Sequence, residues 1–144
     1  KNVEMNPDIY NQILADGHSV GNHSYSHIKG WNTDTSQYIQ DIIYANSFIK
    51  SNLYRPPYGS ISPRQFFLLR HRYKIIMWDV LSMDYSKRIS PRKVAKYVLD
   101  NVHPGAIVVF HDSVKAQRNL KYALPRVLEG ISEKGLKFKA IKIE

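Results

Sequence analysis

The chain has 144 residues, enough for one domain with a real core and too few for a second of ordinary size. Hydrophobic residues at 43 % and charged residues at 23 % make a globular balance, and no apolar run approaches the ~20 residues of a membrane span. The absence of cysteine excludes disulfides and thiolate zinc ligands, so a bound metal must be held by His, Asp or Glu. A net charge of +9 favours anionic partners, but the basic residues are scattered without a Lys/Arg block, and nucleic-acid binding is not expected.

Taken in chain order, the first predicted element is a helix over about 7–16, opened by Asn6 as cap and Pro7 at the first helical position. A short run, "HSVGN" (18–22), reads as a strand, and "DTSQYIQDIIYANSFIKSN" (34–52) as a longer amphipathic helix. The same cap-and-proline signal recurs at Ser62-Pro63 and Ser90-Pro91, predicting helices at about 63–71 and 91–102. The apolar runs "YKIIMWDV" (73–80) and "AIVVF" (106–110) read as buried parallel strands. A last helix is expected over about 118–134 with Gly135 as its stop, followed by a strand "FKAIKI" (138–143). Alternation there turns Leu136 and Phe138 inward and Lys137 and Lys139 to water. Helix and strand alternating from end to end predict a single parallel α/β domain over 1–144, barrel-like or doubly wound.

The chemistry-bearing residues gather after the strands. His23 follows the first, Arg55 lies in "LYRPPYG", Asp79 and Asp84 follow "YKIIMW", and His111 ends "AIVVF". Catalytic groups of α/β barrels collect at that C-terminal face. His23 and His27 are four apart; on one helical turn both imidazoles would point the same way, and neutral imidazole ligates zinc. The two prolines after Arg55 read either as a plain turn or as a stiffener that holds Arg55 and the Tyr58 backbone N–H beside a reacting carbonyl. His111 suits a general acid, with Asp84 or Asp79 to orient it, while Asp112 and Ser113 suit the start of the next helix.

In this order and spacing, "GHSVGNHSYSH", "RPPYG", "WDVLSMDY" and "VVFHD" resemble the polysaccharide deacetylases, the carbohydrate esterase family 4 enzymes with the NodB homology domain. The resemblance implies a distorted (β/α) barrel and a divalent metal, usually zinc, that activates water against an acetyl group on a sugar polymer. It makes His23 and His27 the metal ligands and Arg55 the arginine that orients the catalytic aspartate. Tyr58 becomes an oxyanion donor and His111 the general acid, with Asp84 its partner. Val109 stands where the family's leucine lines the acetyl pocket, and Tyr85 replaces a groove tryptophan; Leu81 replaces a common aspartate.

The family's T-F-D-D motif, which carries the base and third ligand, lies upstream of the opening helix, so the expected barrel is N-terminally incomplete and lacks its first strands. The implied substrate is an N-acetylglucosamine-containing polysaccharide, with positive charge favouring peptidoglycan. Chitin oligosaccharides and acetyl-xylan are the alternatives within the family, and a non-catalytic carbohydrate-binding module on the same barrel is the alternative outside it. The implied location is extracytoplasmic, with no signal visible in the chain.

Overall fold

The computed structural model describes residues 1–141, which form two compact units: 1–77 together with the segment from 140, and 78–139.

In the first unit, α1 (Asn2–Met5) leads into α2 (Pro7–Ala15), followed by α3 (Thr35–Ala45), β1 (Leu53–Tyr54), α4 (Pro63–Leu69) and β2 (Lys74–Ile75). The cap signals act differently at each start. Asn6 sits at the head of α2, but its amide turns back to donate to the Asn2 carbonyl instead of capping. Asp34 caps α3 by accepting from Ser36 and Gln37 N–H. Ser62 makes a complete capping box at α4: its hydroxyl accepts from Gln65 N–H while the Gln65 side chain accepts from Ser62 N–H. Ser62→Ala removes one half of that box, and urea denaturation is expected to show a loss of about 1 kcal/mol.

β1 and β2 pair in parallel, with Leu53 opposite Lys74 and Tyr54 opposite Ile75. The expected strand 18–22 contracts to one parallel bridge between Asn22 and Tyr54. The core of this unit is Tyr38, Ile42, Tyr54, Leu69 and Tyr73, edged by Ile28, Ile39, Ile61 and Ile75. Its phenols are satisfied: Tyr54 donates to the Tyr38 hydroxyl at 2.6 Å, and Tyr38 donates to the Ser60 carbonyl at 3.2 Å. Burial raises the pKa of both, so the chain of donors is intact at neutral pH.

The second unit contains β3 (Val80–Leu81), α5 (Pro91–Asn101), β4 (Val108–Val109) and α6 (Gln117–Glu133). β3 and β4 pair in parallel, and Val80, Val94, Ala95, Val98, Ala123, Val127 and Ile131 form the core. Ser90 caps α5 as expected, accepting from Lys93 N–H. Gly135 ends α6 at φ 74°, with Leu136 N–H returning to the Ile131 carbonyl. The run expected as one strand over 73–80 is two short ones, β2 and β3, with residues 76–79 outside both. Phe138, expected inward, is 55 % exposed, and the described part of "FKAIKI" is not a strand; its residues 142 and 143 lie outside the described residues.

Candidate active site

His23 and His27, in the first unit, lie in a loop and not on a helical turn. Ser24 (φ 59°) and His27 (φ 56°) are both left-handed, which folds residues 23–27 back on themselves. The ring centroids of His23 and His27 come to 4.9 Å, edge to face. Three hydrogen bonds from outside the loop's own span set this shape. Asp41 Oδ2 accepts from Tyr25 N–H at 2.8 Å and from Ser26 N–H at 3.0 Å, and Asn22 Oδ1 accepts from Ser24 N–H at 2.8 Å. Within the loop, Ser24 Oγ accepts from His27 N–H. Burial alone would raise the Asp41 carboxyl, but its bonds from Ser26, Tyr25 and Ser24 outweigh that and hold it below the usual 3.8. Its contribution to stability is therefore complete above that ordinary value and is lost as pH falls through the lower folded one. The Glu4 carboxylate accepts from the Tyr25 hydroxyl and, with burial, pushes that phenol up to about 12, so Tyr25 stays protonated at neutral pH.

His23 Nδ1 lies 2.6 Å from the Arg55 carbonyl. A carbonyl only accepts, so Nδ1 carries the proton and Nε2 presents a lone pair, the tautomer a metal-ligating histidine needs. Arg55 itself donates from Nε to the Ile76 carbonyl and from Nη2 to the Met77 carbonyl. Partial burial lowers its pKa, yet a guanidinium remains charged at neutral pH. Pro56 and Pro57 are buried, and Tyr58 after them is left-handed (φ 59°) with a 62 % exposed side chain. The Tyr58 ring meets His27 edge-on at 4.7 Å, and Lys29 Nζ stands 4.9 Å from its centroid. His23, His27, Arg55 and Tyr58 thus form one group. The two imidazoles fit part of a divalent metal's donor set; among the described residues no cluster of three or more His, Cys, Asp or Glu could hold a metal ion.

In the second unit, the Asp84 side chain is fully buried and accepts twice from His111: from the backbone N–H at 2.8 Å and from Nδ1 at 2.7 Å. The carboxylate fixes the Nδ1–H tautomer and leaves Nε2 as the working atom on a partly exposed ring. Tyr85 packs edge-on against His111 at 5.0 Å, with Lys115 Nζ 5.6 Å from the Tyr85 centroid. Val109 lies in β4 opposite Leu81, two residues before His111. Asp79, the other candidate partner for His111, is engaged elsewhere: its carboxylate accepts from Ile107 N–H at 2.8 Å and ties the start of β3 to the start of β4. Ser113 closes a turn ahead of α6, its Oγ accepting from Ala116 N–H.

Two supporting residues escape motif reading. Asp41 shares a helical face with the buried Tyr38, Ile42 and Ala45, and Asn119 shares one with Ala116, Ala123 and Val127. Asn119 donates to the carbonyls of Asp84, Ser86 and Ile89, fixing the loop that carries Asp84. An acid or amide on an otherwise apolar stripe is the signal that could have found both.

A profile of the polysaccharide deacetylase family matches residues 1–71. A peptidoglycan-N-acetylglucosamine deacetylase of Bacillus cereus is 29 % identical over 151 residues, covering 96 % of this chain and 53 % of that protein. The peptidoglycan-N-acetylmuramic acid deacetylase PdaA of Bacillus subtilis is 30 % identical over 154 residues, covering 96 % of this chain and 56 % of that protein. The chain spans about half the length of these curated relatives. A crystal structure of the Bc1960 peptidoglycan N-acetylglucosamine deacetylase matches with a TM-score of 0.88 at 27 % identity, covering 97 % of this chain and 69 % of that one. On these matches the chain belongs to the polysaccharide deacetylases of carbohydrate esterase family 4, and its α/β fold is of their NodB type.

Proposed function

We propose that the chain is the catalytic domain of a metal-dependent hydrolase that removes acetyl groups from N-acetylated sugars of peptidoglycan, outside the cytoplasm. The observation that carries this reading is the His111–Asp84 pair, a half-exposed imidazole oriented by a buried carboxylate. The peptidoglycan deacetylase activities of the relatives and the net charge of +9, suited to an anionic polymer, point the same way.

Each residue has a task in this reaction. His23, through Nε2, and His27 would hold the divalent ion, zinc by the family resemblance and compatible with imidazole donors. When bound, that ion supplies Lewis-acid polarisation of the acetyl carbonyl and a lowered pKa for water. Arg55 fixes the backbone after β2 through its guanidinium, and its carbonyl accepts from His23 Nδ1. The Tyr58 amide donates to the oxyanion as water adds to the carbonyl. Val109 borders the acetyl methyl group and Tyr85 the sugar. As the C–N bond breaks, the sugar nitrogen takes a proton from His111 Nε2, and acetate and a free amine result. The exposed rings of Trp31 and Tyr58 offer stacking faces for the glycan. No residue of the chain is assigned as the base that takes the water's proton.

The test is incubation of the purified full-length protein with N-acetylated peptidoglycan, following acetate and new primary amines together. Equal amounts of both are expected, with loss on chelation and recovery on adding zinc. Acetate without amine, from acetyl-xylan, would shift the reading to an esterase. Glycan binding with no acetate from any polymer would replace the enzyme by a binding module.

A further inference from the structure

The loop that carries His23 and His27 is held from α3. Only three residues separate His23 from His27, and two positions in this stretch, Ser24 and His27, are left-handed without being glycine. Such a conformation costs about 1–2 kcal/mol per residue, so something must hold it. Both external hooks involve α3. Asp41 Oδ2 takes the N–H groups of Tyr25 and Ser26, while Asn22, which takes Ser24 N–H, is itself anchored by donating to the Ile42 carbonyl and Asn46 Oδ1. The position of Asp41 does not depend on the loop, because its neighbours on the same face of α3, Tyr38, Ile42 and Ala45, are buried in the core. Asp41 Oδ2 is itself engaged by the backbone, accepting from Tyr25 N–H at 2.8 Å and from Ser26 N–H at 3.0 Å.

We infer that Asp41 is the positioning residue that folds the 23–27 loop so that His23 and His27 face one metal ion. This rests on the metal-binding reading of those histidines and extends it to the residue that organises the site before metal arrives. A carboxylate suits the task better than an amide, since one charged oxygen receives two backbone donors that would otherwise be left competing for water.

The test uses Asp41→Ala and Asp41→Asn, with zinc affinity measured by competition against a chromophoric chelator and amide exchange measured by NMR on the metal-free protein. Asp41→Ala is expected to weaken zinc binding by about 10–100-fold. It should also release the Tyr25 and Ser26 amides to rapid exchange while Ile42 and Ala45 keep their protection. Asp41→Asn, which keeps an acceptor but not the charge, should recover part of both. The inference is overturned by zinc affinity equal to that of the parent, by Tyr25 and Ser26 amides that stay protected, or by protection lost evenly along α3. A His23→Ala control separates the two ideas. Parent protein that binds zinc no better than His23→Ala sinks the metal reading, and with it the metal-organising role. The exchange data then still decide whether Asp41 folds the loop.

Discussion

Replacing His111 with alanine is expected to lower the rate of acetate release by about 10²–10⁴-fold, the usual contribution of a positioned general acid. The loss should fall on kcat and leave KM nearly unchanged, because the ring acts on the departing nitrogen and not on the bulk of the glycan. The geometry makes this a sharp expectation. Asp84 receives both the His111 backbone N–H and Nδ1–H, so the imidazole has one orientation and one atom left for the substrate, Nε2. The same carboxylate offsets the charge on the ring when both nitrogens are protonated. Asp84→Asn should therefore reproduce much of the loss while leaving His111 in place, since the replacement amide has the same size but no charge. Thermal unfolding of both variants checks that the second unit remains folded. Activity within tenfold of the parent in His111→Ala, on a folded protein, would remove His111 from the mechanism and leave the chain without its best-supported catalytic group.

The helices were legible because their starts are written locally: proline at the first turn, with Ser62 or Ser90 before it, needs no tertiary partner to act. The strands were less so. "YKIIMWDV" is apolar enough to read as one buried strand, and nothing in the run marks a break. The break comes from outside, where the Arg55 guanidinium takes the carbonyls of Ile76 and Met77 that a continuing ladder would use. The terminal alternation failed similarly, because Phe138 has a strand's pattern but an exposed position. At the candidate site, the four motifs single out residues by the groups the proposed chemistry needs. Their conformation was not legible, because it is imposed by distant side chains: Asp41 on the His23–His27 loop and Asn119 on the loop bearing Asp84. Spacing of four suggested a helical turn to hold the imidazoles; two left-handed residues and a carboxylate bring the rings together instead.

Gly30→Ala is expected to destabilise the first unit by about 3 kcal/mol or more, the upper range for overpacking a tight site. The requirement is one of space. A Cβ at Gly30 would stand 2.5 Å from the Ser60 carbonyl oxygen, 2.5 Å from Gln65 Oε1 and 2.9 Å from Ile61 Cα, and two of these three atoms are backbone. The contact is close because the two segments are bonded through it: Gly30 N–H donates to the Ser60 carbonyl at 3.1 Å, and the buried Gln65 amide donates to the Gly30 carbonyl at 2.9 Å. Moving Ser60 and Ile61 aside disrupts those bonds and the Ser62–Gln65 cap that follows, leaving buried polar groups unsatisfied at about 1–3 kcal/mol each. The site is exposed to the same shift, since Tyr58 precedes Ser60 by two residues and its ring rests on His27, three before Gly30. Zinc affinity should therefore fall together with the urea midpoint. Gly130→Ala is the control: its Cβ would meet only the flexible end of Leu99, at 2.8 Å. Helix propensity favours alanine there by about 1 kcal/mol, so that variant should remain within about that margin of the parent. Equal stability of the two variants would mean that the segments around Gly30 and Ser60 are free to move apart, and that the His27–Tyr58 contact is held by something other than their close approach.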